Sequence, residues 1–168
     1  MRALSRGARI YAELAGVGSS CDHGHITAPL ASGQLRALRA ALRDAGANND
    51  DVRYVNAHGT ATPEGDPVEI DALRQHFGDL APRLPISATK SMHGHLMGAS
   101  GAIEALITAM AVCKGMVPPT AHRSELDPAC LGVDHVLGEG RDVGELPLAL
   151  SNSFAFGGSN VVLAFRAP

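Results

Sequence analysis

Residues 53–78 read RYVNAHGTATPEGDPVEIDALRQHFG, and this stretch decides the fold. Arg53 to Asn56 has the apolar character of a buried strand, and it runs straight into Ala57-His58-Gly59. A helix follows. Asp66 stands as its N-cap, Pro67 at the first helical position and Glu69 three residues after the cap; Ile70, Leu73 and Phe77 recur on one side, and Gly78 ends it. A strand that hands a histidine to a glycine-containing loop, with a well-marked helix behind it, is one β-α unit.

Working outward, the same alternation continues. Arg9 to Val17 reads as a first strand and Gly18 to Ala31 as a Gly, Ser, His and Pro-rich loop. Leu35, Leu38 and Leu42 then recur at helical spacing, with Ser32 placed to cap the start and Gly46 the end. On the C-terminal side, Pro85 to Thr89 is a short strand delivering Lys90. A third helix from about Gly98 to Lys114 is expected to bury Ile103, Leu106, Ile107 and Met110 and to stop at Gly115, ahead of Pro118 and Pro119. Leu148 to Phe165 reads as two strands joined through Phe154-Ala155-Phe156-Gly157-Gly158, whose glycines permit a tight turn. This order predicts a layered α/β domain, with no internal repeat or low-complexity tract.

Composition narrows the function. The 168 residues fit one domain or half of a larger one, and 45% hydrophobic with 18% charged residues is the make-up of a soluble globule. A net charge of -3 and 4% aromatics argue against a nucleic-acid partner, which calls for a basic face and stacking platforms. No apolar run of membrane-span length is expected, and Met1-Arg2-Ala3-Leu4-Ser5-Arg6-Gly7 lacks the core of a signal peptide, so no membrane partner and a cytoplasmic location are predicted. Cys21, Cys113 and Cys130 are scattered without C-x-x-C spacing, which speaks against a disulfide framework or structural zinc site.

The chemistry lies in two islands. Val55 to Thr62 and Lys90 to His95 (KSMHGH) each place histidine beside glycine just after a strand-like run. A strand end holds the imidazole, the glycine lets a ligand approach the backbone, and neutral imidazole can donate to a developing oxyanion or move a proton near pH 7. Glu104, three residues before Ile107, falls at the margin of the third helix's apolar face. A carboxylate there needs a partner, and Lys90 at the neighbouring strand end is the natural one.

Three segments together, VNAHGTATPEGDPVE (55–69), KSMHGHLMGASG (90–101) and SNSFAFGGSN (151–160), resemble the signature segments in the C-terminal half of the beta-ketoacyl-ACP synthases, closest to the type II elongating enzymes of bacterial fatty acid and polyketide synthesis. The resemblance runs over essentially the whole chain. It implies a thiolase-like C-terminal half, a mixed five-stranded sheet layered with helices, with residues 1–168 as one beta-ketoacyl synthase C-terminal domain. By the same resemblance, His58 and His95 bracket the malonyl-ACP thioester carbonyl and stabilise the enolate left by decarboxylation, each such donor contributing roughly 3 kcal/mol. Lys90 and Glu104 match the buried pair that orients the histidines. Thr60 and Thr62 match the threonines that hold the phosphopantetheine arm, and Phe156 matches the gatekeeper between acyl pocket and entrance. Asn56, Glu104, Ser151 and Asn152 match positions where some members hold a structural monovalent cation. No resident cofactor is implied, because phosphopantetheine arrives on the acyl carrier protein. The implied partners are that carrier protein and an N-terminal synthase half or a homodimer partner.

The family's cysteine nucleophile belongs to an N-terminal segment with no counterpart here, and Cys21, Cys113 and Cys130 do not substitute for it. Ala155 stands where the gatekeeper loop commonly has glycine, which predicts a stiffer gate or a trimmed pocket. Other readings are available. Ser87-Ala88-Thr89-Lys90 spells the S-x-x-K of serine beta-lactamases, but no K-T-G follows and the motif should open a helix. Cys21-Asp22-His23-Gly24-His25 has donors at alternating positions, as in a metal clip, or is a solvated loop. A non-enzymatic alternative is a half-synthase that only binds acyl carrier protein or a partner subunit.

Overall fold

A run that is apolar on both faces belongs in the middle of a sheet, and Val52–Asn56 lies there, with parallel neighbours on both sides. The computed structural model describes residues 2–123 and 125–168; Ser124 and Met1, where the signal-peptide reading begins, lie outside the described residues. The strands are β1 (Glu13–Cys21), β2 (Val52–Asn56), β3 (Pro85–Ser87), β4 (Met116–Val117), β5 (Asp134–His135), β6 (Arg141–Asp142), β7 (Leu148–Ala155) and β8 (Ser159–Arg166). The helices are α1 (Arg2–Ser5), α2 (Ala31–Ala45), α3 (Gly65–Phe77), α4 (Lys90–His93) and α5 (Ser100–Lys114).

The larger sheet has six strands in the order β1-β8-β7-β2-β3-β5 rather than the expected five, and β4 pairs with β6 in a small second sheet. β5, two residues long, pairs parallel to β3 and is too short to leave a period in the sequence. The sheet is mixed: β1, β8 and β7 run antiparallel in turn, while β7, β2, β3 and β5 run parallel.

Alternation along β7 sorts the core into two layers. Leu148 and Leu150 pack with Leu38 and Leu42 of α2 and Ile70, Leu73 and Phe77 of α3 on one face; Ala149 packs with Tyr54, Ala111, Val112 and Phe165 on the other, under α5. The first strand begins four residues later than expected and extends to Cys21. A Cβ at Gly18 would stand 2.0 Å from Ala37 O of α2, so the glycine read as the start of a loop is what lets β1 lie against that helix. Gly46 ends α2 in the left-handed conformation as expected, but Ser32 lies inside its first turn and forms no cap; Leu30 is the N-cap residue. Asp66 likewise lies one residue inside α3, and the first N–H, that of Gly65, donates to Thr62 Oγ1 at 3.1 Å.

The largest departure concerns α5. Its buried residues are Ser100, Glu104, Thr108, Ala111 and Val112, whereas Leu106 is 63% exposed and Ile103, Ile107 and Met110 are only half-buried. Of that apolar stripe, Leu106 faces outward and the other three are only partly covered. The helical stretch Met97–Lys114 has a mean hydropathy of 1.3 over 18 residues, long and apolar enough to cross a membrane by length and composition only, as a helix packed on a sheet also can be. Glu104 on its buried face is tied into the sheet layer beneath.

Candidate active site

Ligands collect at the carboxyl ends of parallel strands, and the loops that leave β2 and β3 do so side by side. Ala57 N–H donates to Ser87 O at 2.9 Å, which carries the pairing one step past β2 before the chain turns at His58. The turn is held from below by a carboxylate. His58 N–H and Gly59 N–H donate to the two oxygens of Glu69, at 2.9 and 3.0 Å, and Asn152 Nδ2 donates to Oε1 at 2.9 Å. Gly59 has φ +36°, and a Cβ there would meet Ala88 Cβ at 2.5 Å, so the two loops approach this closely only with glycine. Burial pushes the Glu69 carboxyl above the usual carboxylate range, against the opposing pull of its Gly59, Asn152 and His58 donors. Glu69 is a site residue that the sequence reading took for a helix-capping position. The available signal was an acid immediately before inward-facing Ile70, where a buried carboxylate must serve donors from outside its helix.

Lys90 sits three residues beyond the end of β3, as the first residue of α4. Its Nζ donates to Glu104 Oε1 at 2.5 Å and to His58 O at 2.6 Å, and lies 3.4 Å from His58 Nδ1. Both side chains of the Lys90–Glu104 pair are at most 5% exposed, deeper than the margin position expected for Glu104. An ammonium has only protons to offer, so His58 Nδ1 is an acceptor and the ring proton is on Nε2. Burial foremost, then the charges of Lys90 and His95, lower the His58 pKa to about 3, so this imidazole is neutral throughout the physiological range.

His95 reaches the same place from the other loop. The two rings stand edge to face, with centroids 5.9 Å apart and an interplanar angle of 86°. His95 Nδ1 accepts the Met97 N–H at 3.0 Å and lies 2.9 Å from Ser100 Oγ. Each imidazole therefore has Nδ1 occupied from the protein side and Nε2–H free to donate.

Thr60 and Thr62 follow on the His58 loop, their hydroxyls 3.3 Å apart. Phe156 is not brought into this group: it is 80% exposed at the turn between β7 and β8. The ring beside His58 is Phe154, 7% exposed, at 6.0 Å between centroids. Ala155 has extended backbone (φ −132°, ψ 160°) that any residue adopts, so its Cβ costs no strain. Ser87 is buried and bonded to Tyr54 Oη at 2.8 Å, which removes it as an accessible nucleophile. His25 Nδ1 is taken by Thr27, and among the described residues no three His, Cys, Asp or Glu side chains converge to hold an ion. Cys130 is buried, and its thiol is pushed up by burial and by Asp66 and Asp127, opposite to what a nucleophile needs.

Behind Lys90, Glu104 Oε2, Ser151 Oγ and Asn152 Oδ1 are buried oxygens without partners. Asn56 stands in register with Ser151 and donates to Glu104 O at 3.3 Å. Three unpartnered hard oxygens suit a hard cation in kind, the group the resemblance associates with these residues and Asn56. A cavity of about 240 Å³ lies on the other side of Gly59, between Asp66, Arg123, Cys130 and His135, and includes neither imidazole. The imidazole pair itself stands at an open face.

Residues 11–124 match the family described as "Beta-ketoacyl synthase, C-terminal domain". A 3-oxoacyl-[acyl-carrier-protein] synthase 2 of Synechocystis is 48% identical over 166 residues, 98% of this chain and 39% of its own. The structure of the ishigamide ketosynthase/chain length factor superposes with a TM-score of 0.94 at 41% identity, covering 99% of this chain and 40% of that one. A type II PKS ketosynthase in complex with its acyl-carrier protein, AntDE:AntF, superposes with a TM-score of 0.93 at 35% identity, covering 99% and 40%. The chain thus spans about two-fifths of the length of the relatives it matches.

Proposed function

Because the chain belongs to the beta-ketoacyl synthase C-terminal domain family, we propose that it supplies the decarboxylating half of a condensing enzyme that joins malonyl-ACP to an acyl thioester. Residues 1–168 constitute the C-terminal domain in this reading. When malonyl-ACP loses CO2, the electron pair of the broken C–C bond moves into the thioester and gathers on its oxygen as an enolate. Two neutral Nε2–H donors on that oxygen stabilise the charge as it forms, and the enolate carbon then attacks the acyl thioester. The observation that carries the reading is the imidazole pair, 5.9 Å apart, with both Nδ1 atoms engaged from behind.

Lys90 and Glu104 hold His58, and Glu69 holds its backbone. Thr60 and Thr62 are placed to bind the pantetheine arm, and Phe156, at an exposed turn, to act as the gate. A cation at Asn56, Glu104, Ser151 and Asn152 would neutralise the unpartnered Glu104 oxygen and stiffen the floor under Lys90. The acyl-carrying cysteine comes from an N-terminal synthase half, which covers the apolar face of α5 and closes the open side of the site. In this reading the chain works in the cytoplasm, with that face turned to protein rather than lipid. The acyl carrier protein in the AntDE:AntF complex supports the carrier as substrate-bearing partner.

The test is malonyl-ACP decarboxylation by the chain with and without a complementing N-terminal half. Activity is expected with the half, and His95→Ala should lower its rate about a hundredfold by removing one donor. Full activity of His95→Ala would remove the assigned role.

A further inference from the structure

Ser100 opens α5 and is 4% exposed, and its hydroxyl is committed at both ends. Its oxygen accepts the Leu96 N–H at 2.9 Å, and since His95 Nδ1, also at 2.9 Å, already accepts the Met97 N–H, the hydroxyl is the donor to that nitrogen. The intervening turn is strained: Met97 has φ +51°, a region that a side-chain-bearing residue enters at a cost, and this bend brings the Met97 N–H onto the same Nδ1. Two donors from different parts of the chain therefore converge on one ring nitrogen, which leaves no place for a proton there.

We propose that Ser100 is a positioning residue for the condensing reaction, holding the exposed His95 ring in its Nε2–H tautomer and aiming that N–H at the enolate oxygen. It acts through His95 and touches no substrate. Met97 N–H comes from the same loop as the ring; the Ser100 hydroxyl adds a second donor to Nδ1, from a buried position in the first turn of α5. With Nδ1 engaged as an acceptor, His95 acts by donating a hydrogen bond from Nε2 rather than by passing a proton through both nitrogens. This inference rests on the proposed enolate chemistry for its catalytic consequence and on the geometry alone for the tautomer.

The experiment reads both. In the 15N-labelled chain, the ring nitrogens of His95 are followed by NMR at neutral pH in wild type, Ser100→Ala and Ser100→Thr, with amide spectra as the folding control. Ser100→Ala is expected to shift the Nδ1 resonance and bring in the Nδ1–H tautomer, while Ser100→Thr, which keeps the hydroxyl, retains the wild-type pattern. With the complementing half present, Ser100→Ala should lower kcat for decarboxylation about fivefold, the effect of one lost hydrogen bond, with KM unchanged. Unchanged Nδ1 and Nε2 shifts in a folded Ser100→Ala overturn the proposal, as does a Ser100→Thr spectrum that moves like that of Ser100→Ala. If the shifts behave as expected and wild type shows no decarboxylation, the condensing function fails and the tautomer assignment stands.

Discussion

Replacing Lys90 by methionine tests the centre of the site through stability rather than activity. The substitution keeps the stem's volume and removes the ammonium, which loses its bonds to Glu104 Oε1 (2.5 Å) and His58 O (2.6 Å). Glu104 is then a carboxylate 1% exposed, with its second oxygen already unpartnered. Breaking such a pair from one side costs about 3–5 kcal/mol at pH 7. For a chain of this size that is a fall in Tm of about 6–20 °C. Burial already holds the Glu104 carboxyl above its ordinary range, with Lys90 pulling it down, so removing Lys90 raises it further. The folded variant then keeps a proton that the unfolded chain has released. Its stability must therefore fall as pH rises and be regained on acidification from pH 7 toward 5. Urea denaturation at both pH values measures this, and the double variant Lys90→Met/Glu104→Leu should recover most of the loss, less about 1 kcal/mol for the His58 O bond. A double variant no more stable than Lys90→Met, or a Lys90→Met variant equally stable at pH 5 and 7, would refute the buried-pair account.

Two further outcomes follow from the same geometry. His58 should stay neutral from pH 8 down to 5 in a 15N NMR titration, since its pKa is lowered to about 3; its contribution to stability is whole above its ordinary value of about 6.5 and drains as pH falls toward 3. A ring titrating near 6.5 contradicts that. Leu106→Lys, at a 63% exposed position, should change the chain's own stability by no more than about 0.5 kcal/mol while weakening its association with an N-terminal synthase half in a sedimentation or calorimetric titration; unchanged association would show that the half does not cover this face.

What could be read from sequence follows a physical division. The interior of α3, the β7–β8 hairpin and the Gly46 stop of α2 are local events, each set by residues within a few positions, and the sequence is enough for them. The end of β1 differs from the expectation because Gly18 reads locally as a loop former, whereas its use is a long-range contact with α2. Four site residues, His58, His95, Lys90 and Glu104, are brought together as the strand-end reading and the resemblance required. Glu69 was missed for the opposite reason: its helical surroundings account for an acid near an N-terminus, and nothing local shows that its carboxylate serves the backbone of another loop. Phe156 carries the family's label, yet the ring that packs beside His58 is Phe154.

The misread face of α5 links these cases. Periodicity locates an apolar stripe but does not say which side of the helix meets this chain's own sheet, and here the inward side carries Ser100, Glu104 and Thr108 as well as Ala111 and Val112. That orientation is a requirement of the chemistry. Glu104 can reach Lys90, and Ser100 can reach His95, only if the face carrying both is turned inward, and Leu106 is then left outward. The arrangement that builds the imidazole pair and the one that exposes Leu106 are therefore one rotation of one helix. A substitution that turned the stripe inward would satisfy the hydrophobic effect in the isolated chain and dismantle the site. The polar face stays buried because Glu104, Thr108 and Asn56 satisfy one another there, at 3.2–3.3 Å from Asn56 Nδ2 to Glu104 O and Thr108 Oγ1 and 2.7 Å from Thr108 Oγ1 to Glu104 O.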